Sequence, residues 1–400
     1  MTNNSDSKKR WFVFFTFIFV LTLFFIFGEI TVRIFRPQPV YSRLLEMTGE
    51  QYRPGEYIPF TLKPNYTALT PSMENPGKLA TIHTNSFGLR GKEISLKKPE
   101  QTKRILVLGD SYTFGVYVED NETYPAMLEQ LLGKEGYKVE VLNAGYTDGW
   151  SPDEHYVWLV HKGLKFQPDI IIYGSFIGND IDGIIPENWV EKNDRSLPNK
   201  IVNNLITVDQ FGRIRSKNAD NKTVGTDYIY KIPILRESHL FVFLQNYISS
   251  IIIKINGSQT NSDWGNDPFP FILREKNNEL MNQEENTFRS VVKGISDIAE
   301  NNNIQFLTIM IPLNFQVEPQ FIKKVLGTDK YSIQRDYFQE LSNKFSADNI
   351  NYINLLEKMK AINGKYYPNN GEVHFNPNGH LFTAGTINDY IRDAGWLKKD

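Results

Sequence analysis

One serine stands where a nucleophile would be useful. Ile105-Leu106-Val107-Leu108-Gly109-Asp110-Ser111-Tyr112-Thr113-Phe114-Gly115 is an apolar run that breaks at glycine into small and polar residues. Such a run reads as a central strand of a parallel sheet, buried on both faces. In open α/β sheets, ligands bind in the crevice beyond the carboxyl ends of the strands, so the Ser111 hydroxyl is delivered to that crevice. Asp110 and Ser111 would equally serve to cap a helix or shape a loop, the ordinary work of these residues after a strand. On this run alone both readings stand.

Three later segments repeat the pattern of polar residues following an extended or turn segment. Lys138 to Gly149 is a short strand that enters a loop carrying Gly145 and Gly149. Asp169 to Asp180 is a second buried strand, rich in isoleucine, that ends in Asn179 and Asp180. Glu372-Val373-His374-Phe375-Asn376-Pro377 sets a histidine in a turn ahead of a helix-like stretch from Leu381. Serine, glycine, asparagine and histidine arrive in that order. A serine hydroxyl is a weak nucleophile until a positioned base takes its proton, and imidazole, with an ordinary pKa of about 6.5, suits that task near neutrality. A carboxylate can hold the imidazole in place, while N–H groups and amides stabilise the oxyanion that forms.

In order and content these blocks resemble the SGNH hydrolase family, the GDSL-type esterases and lipases, from about Thr84 to the C-terminus. Gly109-Asp110-Ser111-Tyr112 matches the first block, and Thr84-Asn85-Ser86-Phe87-Gly88-Leu89-Arg90-Gly91 is similar to the lead-in of bacterial members. The resemblance implies a three-layer α/β/α sandwich with a central parallel sheet, flavodoxin-like in order. It implies Ser111 as nucleophile, His374 as general base and Asn179 as an oxyanion donor through its side-chain amide. Gly149 aligns best as the second-block glycine, with Gly145 as the alternative. Two positions depart from the family pattern. Ile177 stands at the glycine position of Gly-x-Asn-Asp, with Gly178 directly before Asn179, and Gly371 stands where the last block often has aspartate. Glu372 is the nearest carboxylate, and either it or a backbone carbonyl would orient the imidazole. The implied activity is a serine esterase or acylhydrolase acting on carboxylic esters, commonly acetyl or acyl groups on carbohydrate or lipid, without cofactor or metal. O-acyl transfer to an envelope or secreted polysaccharide would use the same acyl-enzyme. A non-catalytic glycan-binding or scaffold protein could keep the fold without the chemistry.

The remaining polar residues of these blocks read as structural. Asp110 should shape the serine turn, Asp180 should tether its loop, and His380 should cap or pack against the last helix. His155 and His161 lie in a helical stretch, Asp153 to Leu164; six residues apart, they do not share a helix face and make a poor metal pair. No Gly-x-Gly-x-x-Gly or phosphate-loop pattern occurs. A net charge of −2 gives no basic field for nucleic acid. The chain has no cysteine and therefore no disulfide framework.

These residues need scaffolding on a membrane and within a domain. Trp11 to Phe27 is apolar apart from Thr16 and Thr22, follows Lys8-Lys9-Arg10, and meets no charge before Glu29. That is long enough to span a bilayer, and the basic cluster favours a cytoplasmic start. A cleaved signal peptide is the other reading, although no small-x-small site follows cleanly. The expected layout is a basic tail (1–10), a single-pass inner-membrane anchor (11–30), a stalk and lead-in (31–83), and an extracytoplasmic hydrolase-like domain (84–400). An insertion at about 183–285 interrupts the strand–helix rhythm. Within it Ser238 to Lys254 is an apolar helix candidate: a lid or membrane-facing surface on one reading, a helix packed on the core on the other. Beyond the insertion the pattern predicts a helix from Asn286 to Asn301, a strand from Ile304 to Ile311, a helix from Arg335 to Ala347 and a short strand from Asn351 to Leu356.

Overall fold

The computed structural model describes residues 3–36, 38, 51–72, 79–147, 150–208, 212, 214–216, 232–244, 247, 279–318, 331–362, 364–368 and 373–398. They form two compact units. One unit holds the described residues up to Gln38 together with those between 232 and 247, and the other holds the rest. In the smaller unit α1 spans Asn3–Phe35, and its Lys8–Phe35 stretch is long and apolar enough to cross a membrane. Residues 239–244 are helical. The rest of the Ser238 to Lys254 segment, apart from Tyr247, lies outside the described residues.

The larger unit is built on five parallel strands: β1 (Lys103–Gly109), β2 (Val139–Gly145), β3 (Ile170–Phe176), β4 (Gln305–Ile311) and β5 (Tyr352–Asn354). Their spatial order is β5-β4-β3-β1-β2. Every residue of β3 is buried, as is all of β1 except Lys103. That explains why both read as unbroken apolar runs rather than alternating ones. The helices that follow are α2 (Ser111–Phe114), α3 (Tyr124–Lys134), α4 (Pro152–His161), α5 (Glu279–Asn301), α6 (Tyr331–Ala347) and α7 (Pro377–Asp393).

Parallel crossovers are right-handed, so the step outward from β1 to β2 and the step back from β2 to β3 put α3 and α4 on opposite faces of the sheet. Packing agrees: α3 lies on β2 and against α7, whereas α4 lies against α5, which covers β4. α5 buries Phe288, Val291, Val292, Ile295 and Ala299 at helical spacing. The expected three-layer α/β/α, flavodoxin-like arrangement is present. The winding reverses between β1 and β3, and the crevice at that switch point is where this topology binds ligands. Antiparallel ribbons pair Tyr52–Pro54 with Phe60–Leu62, and Thr67–Pro71 with Leu79–His83. Tyr52, Phe60, Leu62 and Ala68 join the main core.

Several element limits differ from those expected. α7 begins at Pro377 rather than Leu381, because Asn376 caps it by accepting the Gly379 N–H at 2.9 Å and proline suits the first turn. α5 starts at Glu279 instead of Asn286, and α6 at Tyr331 instead of Arg335. β4 begins at Gln305, one residue after Ile304. The last strand is confined to Tyr352–Asn354, since Asn354 accepts the Glu357 N–H at 3.2 Å and starts a helix, Leu355–Ile362.

Three glycines lie level across the sheet: Gly109 on β1 pairs with Gly145 on β2 and with Gly174 on β3. α2 rests on them. A Cβ at Gly109 would come within 2.2 Å of Thr113 Oγ1 and 2.6 Å of the Gly174 oxygen. A Cβ at Gly145 would meet Phe114 N at 2.2 Å, and one at Gly174 would meet Thr113 Oγ1 at 2.6 Å. Gly109 also has φ +144°, which L side chains avoid. Gly109→Ala should therefore destabilise the protein by about 2–5 kcal/mol. Chemical denaturation followed by tryptophan fluorescence should show a clearly lower midpoint, and an unchanged midpoint would refute this packing argument.

Candidate active site

The chain leaves β1 at Gly109 and turns at once into α2. Asp110 is the helix cap, its Oδ1 accepting the Tyr112 N–H at 2.9 Å. Ser111 occupies the first helical position, where the N–H has no acceptor within the helix. α2 ends after one turn because Gly115 adopts a left-handed conformation, φ +84°, with its N–H donating to Ser111 O. Half-buried at this turn, Ser111 Oγ lies 2.9 Å from His374 Nε2, although the two residues are 263 positions apart.

Aromatic packing and an amide hold the histidine turn. The Tyr112 hydroxyl donates to the Val373 carbonyl, and its ring meets those of His374 and Phe375 at 5.2 and 4.8 Å. Asn376 Nδ2 donates to the carbonyls of Lys365 and Tyr367, each at 3.3 Å, and the Tyr367 hydroxyl donates to Pro312 O at 2.7 Å. Tyr117 sets its ring edge-on to His374 at 5.5 Å from a backbone with φ +72°, unusual for a bulky residue. Gly371 and Glu372 lie outside the described residues.

Asn179 sits on the loop beyond the carboxyl end of β3, the strand next to β1. Asp180 tethers that loop, accepting from the Tyr173 hydroxyl at 2.8 Å and the Phe176 N–H at 3.0 Å. Asn179 Oδ1 is buried and has no hydrogen-bond partner among the described residues. The second-block glycine is split by the geometry. Gly149 lies outside the described residues, whereas the Gly145 N–H already donates to Asn143 Oδ1 at 2.9 Å. Gly145 belongs to the floor beneath α2 and has no donor to offer a substrate.

Arg90, from the lead-in, locks the far side of the serine turn. Its guanidinium donates to Phe114 O at 2.6 Å, to Gly115 O, to Val118 O at 2.6 Å and to Asp120 Oδ1 at 2.9 Å. The side chain is buried, which pulls its pKa down, and the adjacent Asp120 charge works against that shift. Asn143 braces the same turn from β2, its Nδ2 donating to Thr113 O at 3.0 Å.

Burial dominates the electrostatics beneath the site. It pushes Asp110 up to about 7, against the Tyr112 hydrogen bond and the nearby His374. Asp180 is raised well above the usual carboxylate range, first by burial and then by Asp110. Burial thus disfavours the charged form of both carboxyls beside the serine turn. Burial lowers His155 and His380 to about 3 each. His380 accepts the Tyr124 N–H at 3.2 Å and so ties α7 to the start of α3, rather than capping its own helix. His161 stacks on Tyr57 with ring centroids 3.6 Å apart, and its Nε2 pairs with Asn199 O at 2.9 Å. No group of three potential metal-ligating side chains converges among the described residues.

The strand order brings Ser111 and His374 together at its switch point. No protein-family model matches the chain, and no curated protein matches it. Among solved structures it is similar to a lipase/acylhydrolase from Enterococcus faecalis, 14% identical, covering 74% of this chain and 98% of that one, with a TM-score of 0.36. It is also similar to a G-D-S-L family lipolytic protein from Desulfitobacterium hafniense, 13% identical, covering 72% and 98% with a TM-score of 0.33. A third is an acetylxylan esterase of Geobacillus stearothermophilus, in a catalytic mutant form, 12% identical, covering 74% and 97% with a TM-score of 0.36.

Arg90 and Tyr117 were not singled out by sequence reasoning. An arginine inside the otherwise small and apolar Phe87-Gly88-Leu89-Arg90-Gly91 was the available signal for the first. Nothing in the sequence marks Tyr117. Asp110 offers a direct test of the electrostatics. The folded carboxyl keeps its proton to about pH 7, whereas an unfolded aspartate loses its proton near 4, so this residue's contribution to stability falls as pH rises between those values. Asp110→Asn should gain on the order of 2–4 kcal/mol relative to wild type across that window and stay level above it. Denaturation at a series of pH values measures this, and parallel wild-type and variant profiles would contradict it.

Proposed function

We propose that the protein is a membrane-anchored serine esterase of the SGNH type that cleaves carboxylic esters. The observation that carries the reading is the 2.9 Å hydrogen bond between Ser111 Oγ and His374 Nε2 at the switch point of the sheet. Ser111 Oγ attacks the ester carbonyl as His374 Nε2 takes its proton, giving a tetrahedral intermediate. His374 then returns the proton to the departing alcohol, leaving an acyl group on Ser111. Water, deprotonated by the same imidazole, attacks this acyl-enzyme and releases the acid. The Ser111 N–H, the Asn179 amide and the Gly149 N–H receive the oxyanion, and Glu372 orients the imidazole. The place of Asn179 supports its role: it follows β3, the strand beside the one that delivers Ser111, and no described residue engages its buried Oδ1.

α1 serves as a single-pass anchor in the inner membrane, with Lys8, Lys9 and Arg10 on the cytoplasmic side and the catalytic unit outside. On that side the accessible esters are acetyl or acyl groups on envelope carbohydrate or lipid. Wild-type protein in detergent should hydrolyse p-nitrophenyl acetate or a longer p-nitrophenyl ester, and Ser111→Ala should fall to background. Asn179→Ala should keep the fold and lose about 100- to 1,000-fold in kcat. Wild-type turnover unaffected by either substitution would overturn the assignment.

A further inference from the structure

The outer end of α1 is clamped to a segment of the insertion. Glu29 Oε2 accepts from Ser238 Oγ at 2.9 Å and from the Leu240 N–H at 2.8 Å. Glu29 Oε1 accepts from the His239 N–H at 3.0 Å and from Arg33 Nη2 at 3.1 Å. The same Arg33 nitrogen donates to Glu237 O at 3.2 Å, and the Gln38 N–H donates to His239 Nδ1 at 2.8 Å. The Arg36 guanidinium lies over the Phe243 ring at 5.3 Å. Gly28 admits Leu240, whose Cδ2 would lie 3.0 Å from a Cβ built there. Residues 237–243 are thus fixed along the last turns of α1 by side-chain and backbone contacts together.

That location sets their depth. Trp11 to Gly28 carries no charge, and at about 1.5 Å per residue it matches a hydrocarbon core of about 30 Å. Glu29 then falls at the outer boundary, and the segment it holds lies at the same level. This segment exposes Ile232, Ile234, Leu244 and Tyr247, with Ile234 82% exposed. Apolar surface of this kind marks an interaction site, and continuity with a spanning helix identifies the occupant as lipid. Tyrosine is enriched at that boundary.

We infer that residues 232–244, with Tyr247, are a second, monotopic membrane contact, seated in the outer leaflet beside the anchor and latched there by Glu29. The inference rests on α1 being a membrane span. A chain without cysteine permits clean single labels. The full-length protein in phosphatidylglycerol–phosphatidylethanolamine vesicles would carry an NBD fluorophore at Ile234→Cys, Leu244→Cys, Phe24→Cys, or Asp393→Cys as an aqueous reference. Labels at 234 and 244 should be shielded several-fold from iodide relative to 393 and quenched by lipids with a doxyl group near the headgroup. Adding Glu29→Ala should restore iodide access at 234 and 244 while the label at 24 stays in lipid. A label at 24 shielded beside labels at 234 and 244 as accessible as 393 would overturn the second contact alone. An iodide-accessible label at 24 would overturn the anchor and this inference together. Shielding at 234 and 244 that survives Glu29→Ala would overturn the latch.

Discussion

The absence of side chains beneath the serine turn is the constraint on which the rest of the site depends. Gly109, Gly145 and Gly174 lie level on three adjacent strands, and α2 settles onto them closely enough that a Cβ at any of the three would strike Thr113 or Phe114. Contact at that range lets the turn bond to its surroundings in every direction. The Thr113 hydroxyl reaches the Tyr124 hydroxyl at 2.7 Å, and the Tyr124 N–H donates to His380. One short turn thereby connects the sheet to α3 and α7. Tyr112, on the same turn, reaches across to the backbone beside His374. The distance between Ser111 and His374 is therefore set by this packing as well as by the bond between the two side chains.

Arginine suits the other side of this turn because of its geometry. Three carbonyls at Phe114, Gly115 and Val118 point inward where the chain leaves α2, and buried carbonyls need donors. A guanidinium offers five N–H groups in a fixed plane and keeps its charge when buried. Asp120 balances that charge. A lysine could satisfy fewer of these acceptors and could not brace them in one plane. Elsewhere, Arg104 plays a similar part near the amino end of β1, pairing with Glu140 at 2.6 Å and donating to Phe166 O at 2.7 Å. Charges are thus buried where they hold backbone, and burial disfavours the charged form of the carboxyls nearest Ser111.

Much of this was legible in the sequence, for identifiable reasons. β1 and β3 are buried on both faces, so their apolar runs announced central strands without ambiguity. The serine, asparagine and histidine could be found because each follows such a run or opens a turn that has its own chemistry, as Asn376-Pro377 does for α7. Helix starts were less legible: α5 begins at Glu279 and α6 at Tyr331, each upstream of the stretch whose spacing marked it, and Met281 in the added turn of α5 still packs against the core. Contacts made by long side chains across hundreds of residues left no local trace. Arg90 is set by three carbonyls that no spacing rule connects to it, and Glu29 finds Ser238 and His239 some 210 positions away. Ser111 and His374, 263 positions apart, became a pair in the sequence only through the resemblance.

The proposed esterase activity turns on an activated serine. Intact-mass analysis of the full-length protein after reaction with a fluorophosphonate tests it most directly. A single adduct mapped to Ser111, absent in Ser111→Ala and formed far more slowly in His374→Ala, is the result expected of a nucleophile poised by its histidine. A folded wild-type protein that takes no adduct, or takes one at a residue other than Ser111, would contradict it.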